Sequence, residues 1–141
     1  MPFAPYSFVS DEIAVGGLLA YGEPLQEFGF VMNVAWELVS AGDVVQGRRV
    51  EHARLDDNDN GDIEPQVPEI LRAVKLVAQA RQCGHSVLVT CAAGRNRSAT
   101  VVAEYLIQSG LPAHAVIERI RERRANSLGN QTFVDWLLRK R

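Results

Sequence analysis

Five residues separate the thiol of Cys91 from the guanidinium of Arg97, and a hydroxyl follows at once in Ser98. A thiolate is a strong nucleophile toward phosphorus, and the planar fork of an arginine holds two phosphoryl oxygens at once. This set suits a displacement in which Cys91 attacks in line and carries the phosphoryl group as a phosphocysteine. Arg97 grips the equatorial oxygens, and Ser98 donates to the sulfur as it becomes a leaving group. Gly94 lets the backbone turn with its N–H inward, where a side chain would obstruct the anion. Ala92, Ala93, Gly94, Arg95 and Asn96 then supply the phosphate-binding lining.

A cysteine alone is most often a small buried hydrophobe, and this Cys–Arg spacing recurs by chance. Context distinguishes the octet. Val87-Leu88-Val89 ahead of it reads as a buried strand, and Ala99 to Ile107 behind it reads as a helix. The octet is then the turn from a strand's C-terminal end into a helix N-terminus, where free amides converge and the helix dipole favours negative charge. Cysteines at helix N-termini beside cations ionise at pH values of about 3.5–7.5, against about 8.5 for a free thiol. Cys83, before Gly84, has no such setting and is expected to pack at a helix end.

An ester oxygen leaves poorly without a proton, and a positioned acid typically contributes ~10²–10⁴-fold. Asp56 to Glu64 (DDNDNGDIE) is a polar, acidic loop, and Asp56, Asp57, Asp59 and Asp62 are all candidates for that acid.

The remaining elements follow from apolar patterning. Val9 to Val15, interrupted by Ser10-Asp11-Glu12, reads as one short strand ending in a Gly16-Gly17 turn. Leu18 to Phe28, with Pro24, reads as a short helical or irregular connection. Phe30 to Val34 and Arg49 to Leu55 read as strands, with turns at Gly42 and Gly47 between them. Beyond Pro65, Val67, Ile70, Leu71, Val74 and Val77 recur at helical spacing as far as about Gly84. Gly110-Leu111-Pro112 stops the helix behind the octet. Ala113, Val116, Ile117 and Ile120 form the next stripe, with Glu118, Arg119, Arg121, Glu122, Arg123 and Arg124 outside it. Phe133, Trp136 and Leu137 open a last helix with a cationic end, Arg139-Lys140-Arg141. Alternating strands and helices give an α/β fold: residues 1–141 as a single domain, with a central, mainly parallel sheet covered on both faces by helices.

Gross composition agrees. The 141-residue chain is long enough for one core, and its net charge of -2 argues against an extended nucleic-acid groove. Two cysteines read as separate free thiols, and three scattered histidines give no metal cluster, so neither metal nor cofactor is expected. No apolar run reaches a membrane span and the N-terminus does not resemble a signal peptide, which points to the cytoplasm. The sequence leaves the oligomeric state open.

With the octet in view, the chain resembles the dual-specificity branch of the cysteine-dependent protein tyrosine phosphatases. Asp11-Glu12-Ile13-Ala14-Val15-Gly16-Gly17 is similar to the family's opening strand and Gly pair, and Val31-Met32-Asn33-Val34-Ala35 to its second strand. Leu55-Asp56-Asp57-Asn58 with Asp62-Ile63 resembles the loop bearing the general acid. Gly129-Asn130-Gln131-Thr132-Phe133 resembles the Asn-x-x-Phe element opening the final helix. Nearly the whole chain is covered, in order. The family's loop spacing implies Asp57 as the acid, with Asp59 next in line. One departure is Thr90, where the family usually places a His before the cysteine; its hydroxyl can serve the loop instead, with a slower rate expected.

The resemblance implies phosphorylated protein substrates: phosphotyrosine, and with a shallow cup phosphoserine and phosphothreonine. Arg95 and the Asn96-Arg97 pair leave phosphoinositides or RNA 5′-phosphate ends as an alternative. A non-catalytic phosphate-binding module is the rival from another class, and a sulfur-transfer or arsenate-reducing enzyme ranks last.

Overall fold

A computed structural model of the chain describes residues 6–17, 28–35 and 49–139. The expected connection at Leu18 to residue 27 and the turns at Gly42 and Gly47 lie outside these residues. So do Lys140 and Arg141.

Five strands form one sheet: β1 (Tyr6–Ser10), β2 (Ile13–Gly16), β3 (Phe30–Asn33), β4 (Arg49–His52) and β5 (Val87–Thr90). Their order is β1-β2-β5-β3-β4, with β1–β2 antiparallel and the other three pairs parallel. The helices are α1 (Val67–Gln82), entered through a 3₁₀ turn at Glu64–Gln66, α2 (Arg97–Gln108), α3 (Ala113–Arg123) and α4 (Gln131–Arg139).

The N-terminal segment differs from the single strand expected over Val9 to Val15. Ser10 pairs with Ile13 around a two-residue turn, and Glu12 there has φ +63°. Asp11-Glu12 therefore folds a hairpin rather than interrupting a strand, as polar residues in such tight turns do. Gly16 is not part of a turn: it ends β2, pairing with Thr90 in β5. The β4 ladder stops at His52, but the chain continues beside β3, with Ala53 N–H donating to Asn33 O (2.9 Å) and Leu55 N–H to Val34 O (3.2 Å).

Side chains alternate across the sheet with the strand period. Ile13, Val15, Phe30, Met32, Val87 and Val89 face the main core, which takes the apolar stripes of all four helices, among them Ile70, Val74 and Val77 of α1 and Ile120 of α3. The opposite face buries Ala14, Val31 and Leu88 with Phe28, and Tyr6 and Val50 pack against them. The four described helices lie on the first of these faces. Central β5 is buried on both sides, as a parallel strand should be. Its C-terminal end, between β2 and β3, delivers Cys91 to the edge of the sheet where open α/β folds place ligands. No helix among the described residues is long and apolar enough to cross a membrane.

Candidate functional site

The octet leaves β5 and enters α2 as the strand–turn–helix order requires. Cys91 is buried at its foot (3 % exposed), and its N–H donates to Gly16 O at 3.1 Å. Ser98 Oγ lies 3.2 Å from Cys91 Sγ and is fully buried. Arg97, the first residue of α2, is 8 % exposed, and its guanidinium donates to Leu55 O at 3.1 Å. The arginine is thereby oriented by the chain that leads into the acidic loop. Ala92 and Ala93 are exposed at the crest, Gly94 is buried, and Arg95 and Asn96 are half-buried.

Gly94 has φ +70°, and a Cβ there would lie 2.4 Å from Gly16 C and 2.6 Å from both Gly16 O and Gly17 N. Only glycine fits, because the turn requires a left-handed residue and its back presses on the end of β2. Gly17 meets the loop in turn, its would-be Cβ falling 3.0 Å from Ala92 O.

The loop carbonyls of residues 93–96 are each taken up by a donor, three from the wall behind the loop and the last from the helix that follows. Arg124 donates to Gly94 O (2.7 Å) and Ala93 O (3.4 Å), Leu128 N–H to Arg95 O (2.8 Å), and Thr100 N–H to Asn96 O (2.9 Å). A trans peptide sets its N–H opposite its C=O, and no cis bond occurs among the described residues. The amides of residues 94–97 therefore point away from these donors. This is the polarity an anion needs.

Arg124 was expected on the outer face of α3 and is instead buried (3 % exposed) just past its end, reaching Ser7 Oγ at 3.1 Å as well. Burial and the neighbouring Arg95 guanidinium lower its pKa below the usual arginine value, while Cys91 opposes that shift. The sequence held one signal: Arg124 lies four residues after Ile120 and continues the buried stripe of Val116 and Ile120. The wall it starts runs on through Asn126 (φ +66°) and Leu128 (φ +57°), whose carbonyl accepts from Arg121 at 2.7 Å. Arg95 turns its guanidinium onto Ala125 O of the same wall.

Among the acidic candidates, Asp57 meets the octet. Its Oδ2 accepts from Asn96 Nδ2 (3.1 Å) and its Oδ1 from Asn130 Nδ2 (2.7 Å). Asp59 is exposed and makes no hydrogen bond or ion pair among the described residues. Asp62 contributes its backbone N–H to Asn60 Oδ1, and the backbone of Asp56 is held by Gln66 from both sides. Thr90 is buried between Gly16 and Asn33 in the sheet register. Cys83 does not pack as expected: it ends α1 with its side chain exposed, and both cysteines are free. The described residues hold no cluster of three His, Cys, Asp or Glu able to bind a metal.

The family model for the dual specificity phosphatase catalytic domain matches residues 23–141. The chain belongs to that family. Within this phosphatase domain, the octet, the Asp57 loop and the start of α4 all fall inside the matched span. A rat protein named phosphatidylglycerophosphatase and protein-tyrosine phosphatase 1 is 35 % identical over 94 residues, 67 % of this chain and 44 % of the rat protein. The domain therefore spans less than half that relative's length. Human DUSP28 superposes with a TM-score of 0.84 at 21 % identity, covering 97 % of this chain and 93 % of that one. A mouse putative dual specificity phosphatase, solved as a complex with zinc tungstate, gives 0.83 at 23 % identity, covering 96 % and 85 %. These two likenesses establish the dual-specificity phosphatase fold.

Proposed function

We propose that this domain hydrolyses protein phosphomonoesters in the cytoplasm through a phosphocysteine on Cys91. The observation that carries this reading is the 3.2 Å contact between Cys91 Sγ and Ser98 Oγ at the foot of the loop. A module that only captured phosphate would need neither a sulfur there nor a hydroxyl to serve it.

In the first step the Cys91 thiolate attacks phosphorus, the P–S bond forms and the ester P–O bond breaks. Arg97 and the amides of the loop hold the three equatorial oxygens, whose charge grows on the way to the transition state. Asp57 gives its proton to the departing alcohol. In the second step water attacks phosphorus, Asp57 takes its proton, and the P–S bond breaks. Ser98 donates a hydrogen bond to the returning thiolate, and inorganic phosphate leaves.

Phosphotyrosine, phosphoserine and phosphothreonine of proteins are the proposed substrates. A second reading, a phosphomonoester on an anionic lipid, draws support from the rat relative's name and from Arg95, held at the rim by Ala125 O. A substrate panel separates them: phosphopeptides of all three hydroxyl types, inositol phosphates, phosphatidylglycerophosphate in vesicles and a triphosphorylated RNA. Wild type should release phosphate from the peptides, and Cys91→Ser should release none while still binding vanadate. Turnover by Cys91→Ser refutes the nucleophile. No turnover of any substrate by wild type leaves the binding-module reading standing in its place.

A further inference from the structure

We propose that Asn96 is a positioning residue that ties the phosphate-binding loop to the proton donor, so that the Asp57 carboxyl is set in place before substrate arrives. This rests on the reading of Asp57 as the acid.

The argument begins with what Asn96 does not do. Asparagine is among the strongest helix N-caps, its side-chain oxygen ordinarily taking an amide of the first turn. Asn96 occupies the N-cap of α2, yet its side chain makes no capping bond. Its Oδ1 instead accepts from the Asn130 N–H (3.1 Å), and its Nδ2 donates to Asp57 Oδ2 (3.1 Å). A backbone N–H only donates, so Oδ1 must face Asn130 and Nδ2 must face Asp57, and the orientation of this amide is fixed. The first-turn amides of α2 are consequently left to the anion.

Asn130 closes a ring. Its Nδ2 donates to Asp57 Oδ1 (2.7 Å) and Asn58 O (3.0 Å), while its Oδ1 accepts from Thr132 N–H (2.9 Å) and so caps α4. Each oxygen of Asp57 thus receives one side-chain amide, one from the phosphate loop and one from the start of α4. The two asparagines are themselves joined, by the Asn130 backbone N–H to Asn96 Oδ1. Gly61 N–H donates to Thr132 Oγ1 at 3.0 Å, fastening the far side of the acidic loop to the same helix end. Between buried Leu55 and Ile63, that loop has no buried apolar residue to anchor it. Polar ties supply the order that packing does not, and a displacement of about 1 Å at a reacting group can cost ~10²-fold in rate.

The test is a double-mutant cycle read on esters of differing leaving groups. Wild type, Asn96→Ala, Asp57→Asn and the double variant are assayed on p-nitrophenyl phosphate, phenyl phosphate and an alkyl phosphate, with vanadate inhibition measured alongside. Asn96→Ala should lose about tenfold in kcat on the phenyl and alkyl esters, part of the ~10²–10⁴-fold an acid supplies, and far less on the nitrophenyl ester. Vanadate inhibition should weaken far less than the alkyl-ester rate falls, and in the Asp57→Asn background Asn96→Ala should cost nothing further on that rate. Asn96→Ser, a milder change, should show the same non-additivity. Equal loss on every ester, vanadate binding weakened to the same degree and full additivity would mean that Asn96 merely shapes the loop, and would overturn the proposal. If Asp57→Asn alone slows all three esters equally, the acid assignment fails first and the proposal falls with it.

Discussion

Removing the Arg124 guanidinium should loosen the phosphate loop from behind while leaving every proposed catalytic group in the chain. The side chain donates to Gly94 O, Ala93 O and Ser7 Oγ at 2.7, 3.4 and 3.1 Å, joining the loop to β1. Hydrogen bonds from a charged donor contribute about 1.5–3 kcal/mol each, and a stranded buried acceptor costs about 1–3 kcal/mol. The desolvation that lowers the Arg124 pKa opposes part of that gain, and the 3.4 Å contact is weak. The net loss for Arg124→Met is therefore set at about 2–3 kcal/mol, below the sum of its bonds. For a domain of this size that lowers Tm by roughly 7–10 °C.

The same change frees the 93–94 and 94–95 peptides to rotate, turning their amides away from the anion. Vanadate affinity should fall about tenfold, equivalent to about 1.4 kcal/mol. Thermal melts with and without vanadate read both effects in one experiment, since a bound ligand raises Tm according to its affinity. Arg124→Lys keeps the charge but lacks the fork, so it should restore part of the stability and little of the vanadate shift. An Arg124→Met protein that melts and binds vanadate like wild type would refute the claim that loop polarity is enforced from outside.

Gly94→Ala should be more damaging than its single methyl suggests. It combines a left-handed residue, costing about 1–2 kcal/mol, with a 2.4 Å approach to Gly16 C that only backbone movement can relieve. Hydrolysis and vanadate binding should both be lost, and wild-type kinetics would contradict the geometry. Glu69 presents a gentler case. Its carboxylate accepts from Arg72 Nε (2.8 Å) and Arg54 N–H (3.0 Å), tying α1 to the chain after β4. The Arg72 hydrogen bond, chiefly, lowers its pKa from the ordinary value. A lowered carboxylate stabilises the fold above its unfolded pKa and loses that effect as pH falls through the folded value. Glu69→Gln should therefore cost under about 1 kcal/mol at pH 7, as exposed ion pairs do, and the gap to wild type should close on acidification. Denaturant midpoints at neutral pH and near pH 3 measure it; a gap that widens in acid has the wrong sign.

The strand–loop–helix around Cys91 was legible because each part carries its own local signal: an apolar run, a glycine turn, then a helical period. The helices α1, α3 and α4 were legible for the same reason. The hairpin was not, since Ser10-Asp11-Glu12 is polar in either case and only pairing across the turn distinguishes a fold from a gap. The second wall of the site was hidden too. Arg124 ends a run of charged residues just past α3, and although it continues the Val116–Ile120 spacing, the carbonyls that receive it lie on a loop thirty positions earlier. Asp57 was chosen among four aspartates through the family's loop spacing, whereas the ring that holds it joins three distant segments. Periodicity reports which side of an element is apolar; it is silent on which polar groups meet.

That silence marks where the site's order originates. A helix N-terminus attracts anions, yet it does so only if its first amides are unspent and the preceding peptides point the same way. Both conditions are met here by hydrogen bonds made outside the loop's own amides. Asn96 spends its side chain on Asp57 and Asn130 rather than on its own helix. Arg124 and Leu128 occupy loop carbonyls from outside, and Thr100 of α2 takes that of Asn96. The cup is thus defined by its outer surface, where donors fix the carbonyls, and the inner surface follows from the planarity of the peptide. It follows that substitutions on the convex side should alter phosphate affinity with Cys91 and Arg97 intact. Substitutions on the acidic loop should instead alter the response to the leaving group, and the two classes should be separable in one panel.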